Sequence, residues 1–321
     1  MIRYFLRRLG NMALMLLGAS VLLFLLSKAA PGDFVTAATA DANVSAQTIA
    51  AIRAQYGLDQ PLPVRYWRWL RSAGRGDLGY SFAYGLPVSS LLWPRARNTL
   101  LLAAPALMLS WLIAVPLGVL AASRRGGWAD RIFSAGTSAL LALPDLLIAL
   151  LVMLFALHTG FFPVGGMTST IETRGLWHTL ADMAWHMVLP VAALVIASLP
   201  TILRHVRASV IQVLDSSYIK AAEGHGIARF NILYRYALPA AANPLISLLG
   251  LSVAGLLSMS LLVEVVLSWP GMGPLVLEAI QGRDLFVVIG SVMFSMFFMV
   301  FGNLLADVLL YGFDPRIRMQ P

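Results

Sequence analysis

The segment RHVRASVIQVLDSSYIKAAEGHGIARFNILYRYALP, residues 204–239, stands between two apolar runs at 186–203 and 243–263. It is too polar to cross a bilayer and too patterned to be slack linker. A helix runs from Arg204 through Leu214, a second starts at Ser216 or Ser217, and Gly224 and Gly226 end it. In that short helix Tyr218, Ala221 and Ala222 offer aromatic and small contacts. Small side chains permit close backbone approach and glycine permits a sharp stop, which together suit a knob that enters a groove on another protein. The plain alternative is a structural loop joining two spans.

Outward from this segment the chain is a membrane protein. Of its 321 residues 59% are hydrophobic and 12% charged, against about 25% charged residues in soluble domains. Apolar windows long enough to cross roughly 30 Å of hydrocarbon recur at 12–29, 99–121, 132–157, 186–203, 243–263 and 285–311. The expected fold is all-α with about six transmembrane helices. The basic start, 1–8, followed by an apolar stretch, is read as a retained first helix rather than a cleaved signal. The expected division is a transmembrane helix at 1–30, an outward-facing segment at 31–98, a core transmembrane domain at 99–313 with its loop at 204–239, and a tail at 314–321.

The formal charge of +8 points to loop arginines and not to nucleic acid, because the basic residues fall between apolar runs. Arg3, Arg7 and Arg8, then Arg124, Arg125 and Arg131, then Arg204, Arg207, Lys220, Arg229 and Arg235, and finally Arg316 and Arg318 share one side if the spans alternate. The opposite short loops hold Arg174 and Arg283 beside Glu172, Asp182, Glu278 and Asp284. The excess of Lys and Arg on the inner side places both termini in the cytoplasm. The outward segment 31–98 holds many arginines too, but a loop of about that length escapes the charge rule. Within it Ser45 caps a helix ending near Gly57, and Pro63 opens another whose Arg65, Arg68 and Arg71 share a face, with Trp67 and Leu70 on the other. Such a helix lies at the headgroups or docks an external partner.

Residues 220–239 also carry a resemblance. Lys220, Ala221 and Ala222, then Gly226, then Tyr236, then Leu238 and Pro239 keep the spacing of the EAA–G–I–LP loop that marks membrane subunits of binding-protein-dependent ABC importers. The Glu of that pattern is Lys220 here and the Ile is Tyr236. The fragments RYFLRRL at 3–9, PGD at 31–33, YGLDQPL at 56–62, GDLGYSF at 76–82, SWPGMG at 268–273 and DPRIR at 314–318 make the chain similar to the first permease subunit of the dipeptide, oligopeptide and nickel importers. The resemblance implies a type I importer permease fold in a bacterial inner membrane. It implies four kinds of partner: a second homologous permease, two ATPase subunits carrying ATP and Mg, a periplasmic or lipid-anchored solute-binding protein, and the bilayer. It assigns the short helix as the coupling helix, formed around Lys220, Ala221, Ala222, Gly226, Leu238 and Pro239, and it implies short peptides as cargo, with nickel or a metal chelate as the alternative. The lysine at 220 removes any salt bridge that the family's Glu makes.

Few other residues suggest chemistry. Asp145 follows Pro144 halfway along the run 132–157, where an ionisable side chain is costly and faces a cavity or a polar partner. The proline predicts a kink in one continuous span. Asp145 is therefore a candidate pathway residue; a hydrogen bond to a neighbouring helix satisfies the same cost. Glu264 and Asp307 fall near span ends and are read as solvated boundary residues. The five histidines are scattered, so metal ligation is not expected, and the 14 methionines read as apolar filler. The sequence carries neither a phosphate-binding lysine loop nor a nucleophile motif, so ATP hydrolysis is expected on other subunits and no cofactor on this one. The rival reading, an ion-coupled secondary transporter using Asp145, calls for paired inverted repeats that the segments do not show.

Overall fold

The computed structural model describes residues 2–29, 60–81, 83–169 and 175–313. The helix expected from Ser45 to Gly57, the fragment at 31–33, most of that at 56–62, Glu172, Arg174 and the tail 314–321 lie outside the described residues. The helices are α1 (Ile2–Ala29), α2 (Leu62–Ala73), α3 (Val88–Ser123), α4 (Trp128–Leu141), α5 (Asp145–Thr159), α6 (Leu176–Leu214), α7 (Ser217–Gly224), α8 (Ala242–Val266), α9 (Met272–Gln281) and α10 (Leu285–Phe313). Among the described residues a short antiparallel ribbon of two residues per strand, β1 (Tyr80–Ser81) with β2 (Leu86–Pro87), accompanies the helices.

Among the described residues five helices, α1, α3, α6, α8 and α10, are long and apolar enough to cross a membrane. The expected single span at 132–157 is instead broken: α4 and α5 meet at 98°. Pro144 has no N–H to donate and disfavours helical geometry at Leu143, so the backbone N–H of Ala142 bonds back to Ser138 and Ala139 and the helix stops. The two pieces nevertheless traverse the length of α6. Asp130 in α4 pairs with Arg207, while Phe162, just past α5, stacks on Trp185 with ring centroids 4.9 Å apart. Those two points on α6 are separated by roughly 33 Å at 1.5 Å per residue, about the hydrocarbon thickness. With the broken pair taken as one crossing, the candidate spans among the described residues number up to six.

By packing, the chain forms two compact units, 1–99 with 270–297, and 100–269 with 298–321. The described residues 60–99 group with α1 and with 270–297. In the first unit Phe24 of α1 meets Tyr66 and Trp69 of α2, Ser20 shares a 3.0 Å hydrogen bond with the Tyr66 hydroxyl, and the buried Trp69 donates its indole N–H to the Leu78 carbonyl at 3.0 Å. Asp284, fully buried, gathers the ribbon: the Ser81 hydroxyl donates to it at 2.6 Å and the Ala83 N–H at 3.1 Å. Tyr84 donates to the Glu278 carboxylate. Burial first, and then that carboxylate, push the Tyr84 phenol up to about 12, so it remains a hydrogen-bond donor. The SWPGMG fragment is fastened in part here, by Asn98 to the Pro270 carbonyl at 2.8 Å and by the Met272 N–H to Thr99 at 2.9 Å.

In the second unit α6 packs against α4, α5 and α8, and residues 102–122 of α3 join the same apolar clusters. One apolar cluster centres on Leu102, Leu194, Leu256 and Trp269, and another on Ala114, Ile202, Val206 and Leu245. A buried Ser110–Ser198 hydrogen bond of 2.7 Å joins α3 to α6, the kind of polar link that holds helices together in lipid. Gly118 lets the same helices close up: a Cβ there would fall 2.7 Å from the Val206 side chain.

Candidate functional site

Helix α6 runs on to Leu214, past the apolar stretch, because its polar residues from Arg204 onward still suit a helix. Ser216 then adopts extended backbone and α7 begins. The Ser216 hydroxyl turns back to the Val213 carbonyl at 2.5 Å, so it closes α6 instead of capping α7. Two buried side chains one turn apart, Ile219 and Ala222, fasten α7. Its other face presents Tyr218, Lys220, Ala221 and Glu223. Within the triplet, then, Ala222 is an anchor while Lys220 and Ala221 are displayed. Ile219, fully buried, is a functional residue that the motif does not mark; the i, i+3 spacing of Ile219 and Ala222 is the signal for it.

The end of α7 depends on Gly226. Its φ is 73°, its N–H reaches the Glu223 carbonyl at 2.9 Å, and the Ile227 N–H reaches back to Ala222 at 3.3 Å. A Cβ at this position meets nothing within 4 Å, so backbone conformation and not space calls for glycine. Beyond it, residues Ile232–Ala237 form a π-helix between one-turn α segments, Arg229–Asn231 and Leu238–Ala240. Pro239 has no N–H for the Arg235 carbonyl and its ring would crowd that carbonyl; the wider turn relieves both. Ile232 and Ala237 are buried beneath it and Leu238 partly so, while Phe230, Tyr234, Tyr236 and Pro239 are exposed. The displayed surface is therefore aromatic and basic.

Three arginines tie this region to the turn between α3 and α4. Arg207 grips Asp130 with two bonds, of 2.5 and 2.9 Å, and the Gly126 N–H donates to the same carboxylate at 2.9 Å. Arg125 pairs with Asp215, the residue before the Ser216 bend, at 2.9 Å. Arg229 donates to the Ser123 carbonyl. The Asp215 pair is exposed on both sides and adds little; the Asp130 side chain is 7% exposed and is the firm member. Sequence reading missed this set, since its members lie 77 to 106 positions apart.

Asp145 does not sit inside a kinked helix. It is the first residue of α5, half-buried, directly after the break. It shares no element with the segment 204–239. Glu264 is also placed differently from the expectation of a solvated boundary residue. Its side chain is fully buried, because the chain reverses after α8 through Ser268 at φ 51° and brings the buried Trp269 back, its N–H donating to the Glu264 carbonyl at 2.8 Å. The rings of His186 and His205 each bond a carbonyl of their own helix at 2.9 Å.

Compared with known proteins, residues 114–319 match the family model described as the binding-protein-dependent transport system inner membrane component, and residues 1–103 match the N-terminal model of the same systems. The chain belongs to this family. The oligopeptide transport system permease protein AppB of Bacillus subtilis is 34% identical over 99% of this chain and 100% of its own length. The dipeptide transport system permease protein DppB of Escherichia coli is 32% identical over 99% of each. Among solved structures, an inward-facing MetNI methionine ABC transporter superposes with a TM-score of 0.58 over 70% of this chain and 96% of that one, at 17% identity, a likeness of fold. The protein is thus a multi-pass inner-membrane permease subunit of an ABC importer.

Proposed function

We propose that this permease forms half of the translocation pathway for short peptides, paired with a second similar permease, two ATPase subunits that bind ATP and Mg, and a solute-binding protein. The observation that carries the reading is α7, pinned by Ile219 and Ala222 and displaying Lys220 and Ala221 at the end of α6. A short displayed helix fixed to a long span can pass a partner's movement into the membrane. The peptide cargo is supported by relatives named for oligopeptide and dipeptide transport over their whole length.

Asp145 is proposed to face the pathway. Non-helical backbone at membrane depth is tolerated only where protein buries it or water lines it, and the break at 142–144 puts this carboxylate beside such backbone. Reconstituted with its ATPases and binding protein, the wild type is expected to take up dipeptides with ATP hydrolysis. Asp145→Asn is expected to take up lysine-containing peptides several-fold less well while neutral peptides enter as before. Uptake of nickel or a chelate but no peptide would overturn the cargo, and equal uptake of both peptide classes by the variant would remove Asp145 from the pathway.

The orientation proposed is cytoplasmic for both termini and for α7, following the arginine distribution. Because the chain has no cysteine, single cysteines report it. In intact cells an impermeant thiol reagent is expected to label His178→Cys and to reach Glu223→Cys only after permeabilisation. The reverse pattern would invert the topology.

A further inference from the structure

Helix α2 has two faces that the structure separates cleanly. Tyr66, Trp69, Leu70 and Ala73 pack toward α1 and the 270–297 part of the first unit. Val64, Trp67, Arg68 and Arg71, with Arg75 just beyond the helix, form one exposed stripe at i, i+3, i+4, i+7 and i+11. Trp67, assigned from the sequence to the face opposite the arginines, lies among them and is 67% exposed. Arg65 is half-buried and is the third arginine of a helix that contains no acidic residue.

The depth of α2 is set by its partner. Ser20 and Phe24 hold it, and they lie in the last two turns of the α1 span, Arg7–Leu26. Helix α2 is therefore fixed where that span meets the bilayer surface. An indole is favoured at this level, and arginines beside it reach up to phosphates while their stems rest on acyl chains. We infer that α2 is an interfacial helix whose Trp67, Arg68, Arg71 and Arg75 stripe binds anionic phospholipid headgroups, in the leaflet at the C-terminal end of α1. An acidic protein surface would satisfy the arginines but leaves Val64 and Trp67 without the acyl boundary that their position provides.

The full-length chain with Val64→Cys, spin-labelled in nanodiscs of phosphatidylcholine with or without phosphatidylglycerol, reads the depth directly. A label at the interface is reached by oxygen and shielded from a water-soluble nickel chelate. Lipid extracted from the purified protein is expected to be enriched in phosphatidylglycerol over the surrounding bilayer. Arg68→Gln/Arg71→Gln should lower that enrichment by about tenfold while thermal unfolding stays unchanged. A label open to the chelate in both bilayers, or shielded only when binding protein is added, overturns the lipid assignment. Enrichment unaltered by the double substitution, in a variant that unfolds normally, overturns the role of the arginines.

Discussion

Arg207→Ala is expected to destabilise the permease by about 3 kcal/mol, the lower end of the range for breaking a buried ion pair by removing one partner. The Asp130 carboxylate is 7% exposed and accepts two bonds from Arg207 and one from the Gly126 N–H. Without the guanidinium, a buried negative charge keeps only the backbone donor. Removing both partners removes that charge, so Asp130→Ala/Arg207→Ala should recover much of the loss, and a double-mutant cycle from thermal unfolding in detergent measures how much. A single variant within about 0.5 kcal/mol of wild type would mean the pair behaves as a surface bridge. The functional consequence reaches further than stability. Arg207 stands two turns before the end of α6, and α7 follows directly, so loosening its tie to α4 should also weaken the coupling of hydrolysis to uptake.

Gly226→Val is expected to abolish most of the stimulation of ATP hydrolysis by peptide-loaded binding protein while the protein still assembles. At φ 73° an L-residue pays about 1–2 kcal/mol, and a β-branched one sits at the upper end. That strain corresponds to about a tenfold fall in the population of the native turn. A Cβ meets no neighbour within 4 Å, so the loss is confined to the backbone and expression should survive. Asparagine tolerates this conformation, and Gly226→Asn should retain most of the stimulation. If valine and asparagine were equally inactive, side-chain bulk at a partner surface would be the cause; if both were fully active, the turn would not be the coupling element.

The sequence alone determined the solvent, a count of about six crossings and the place of the short helix that follows α6. Apolar runs near 20 residues are a local property of the chain, and so is the spacing from Lys220 to Pro239 that carries the resemblance to the family's loop. Gly226 was legible for the same reason. Tertiary structure decided what depends on partners far along the chain. Pro144 announced a disturbance, but only packing along α6 turned the kink into a break that still crosses the bilayer. Asp130 and Arg207 are 77 positions apart, and no periodicity joins them. Glu264 lies at a span end in sequence but is buried in space, where the chain turns back after α8 and the Trp269 backbone N–H bonds the Glu264 carbonyl. For α2 the helical spacing of its arginines was readable. Which face of it turned inward was not, since that was set by Ser20 and Phe24 of α1 and not by α2 itself.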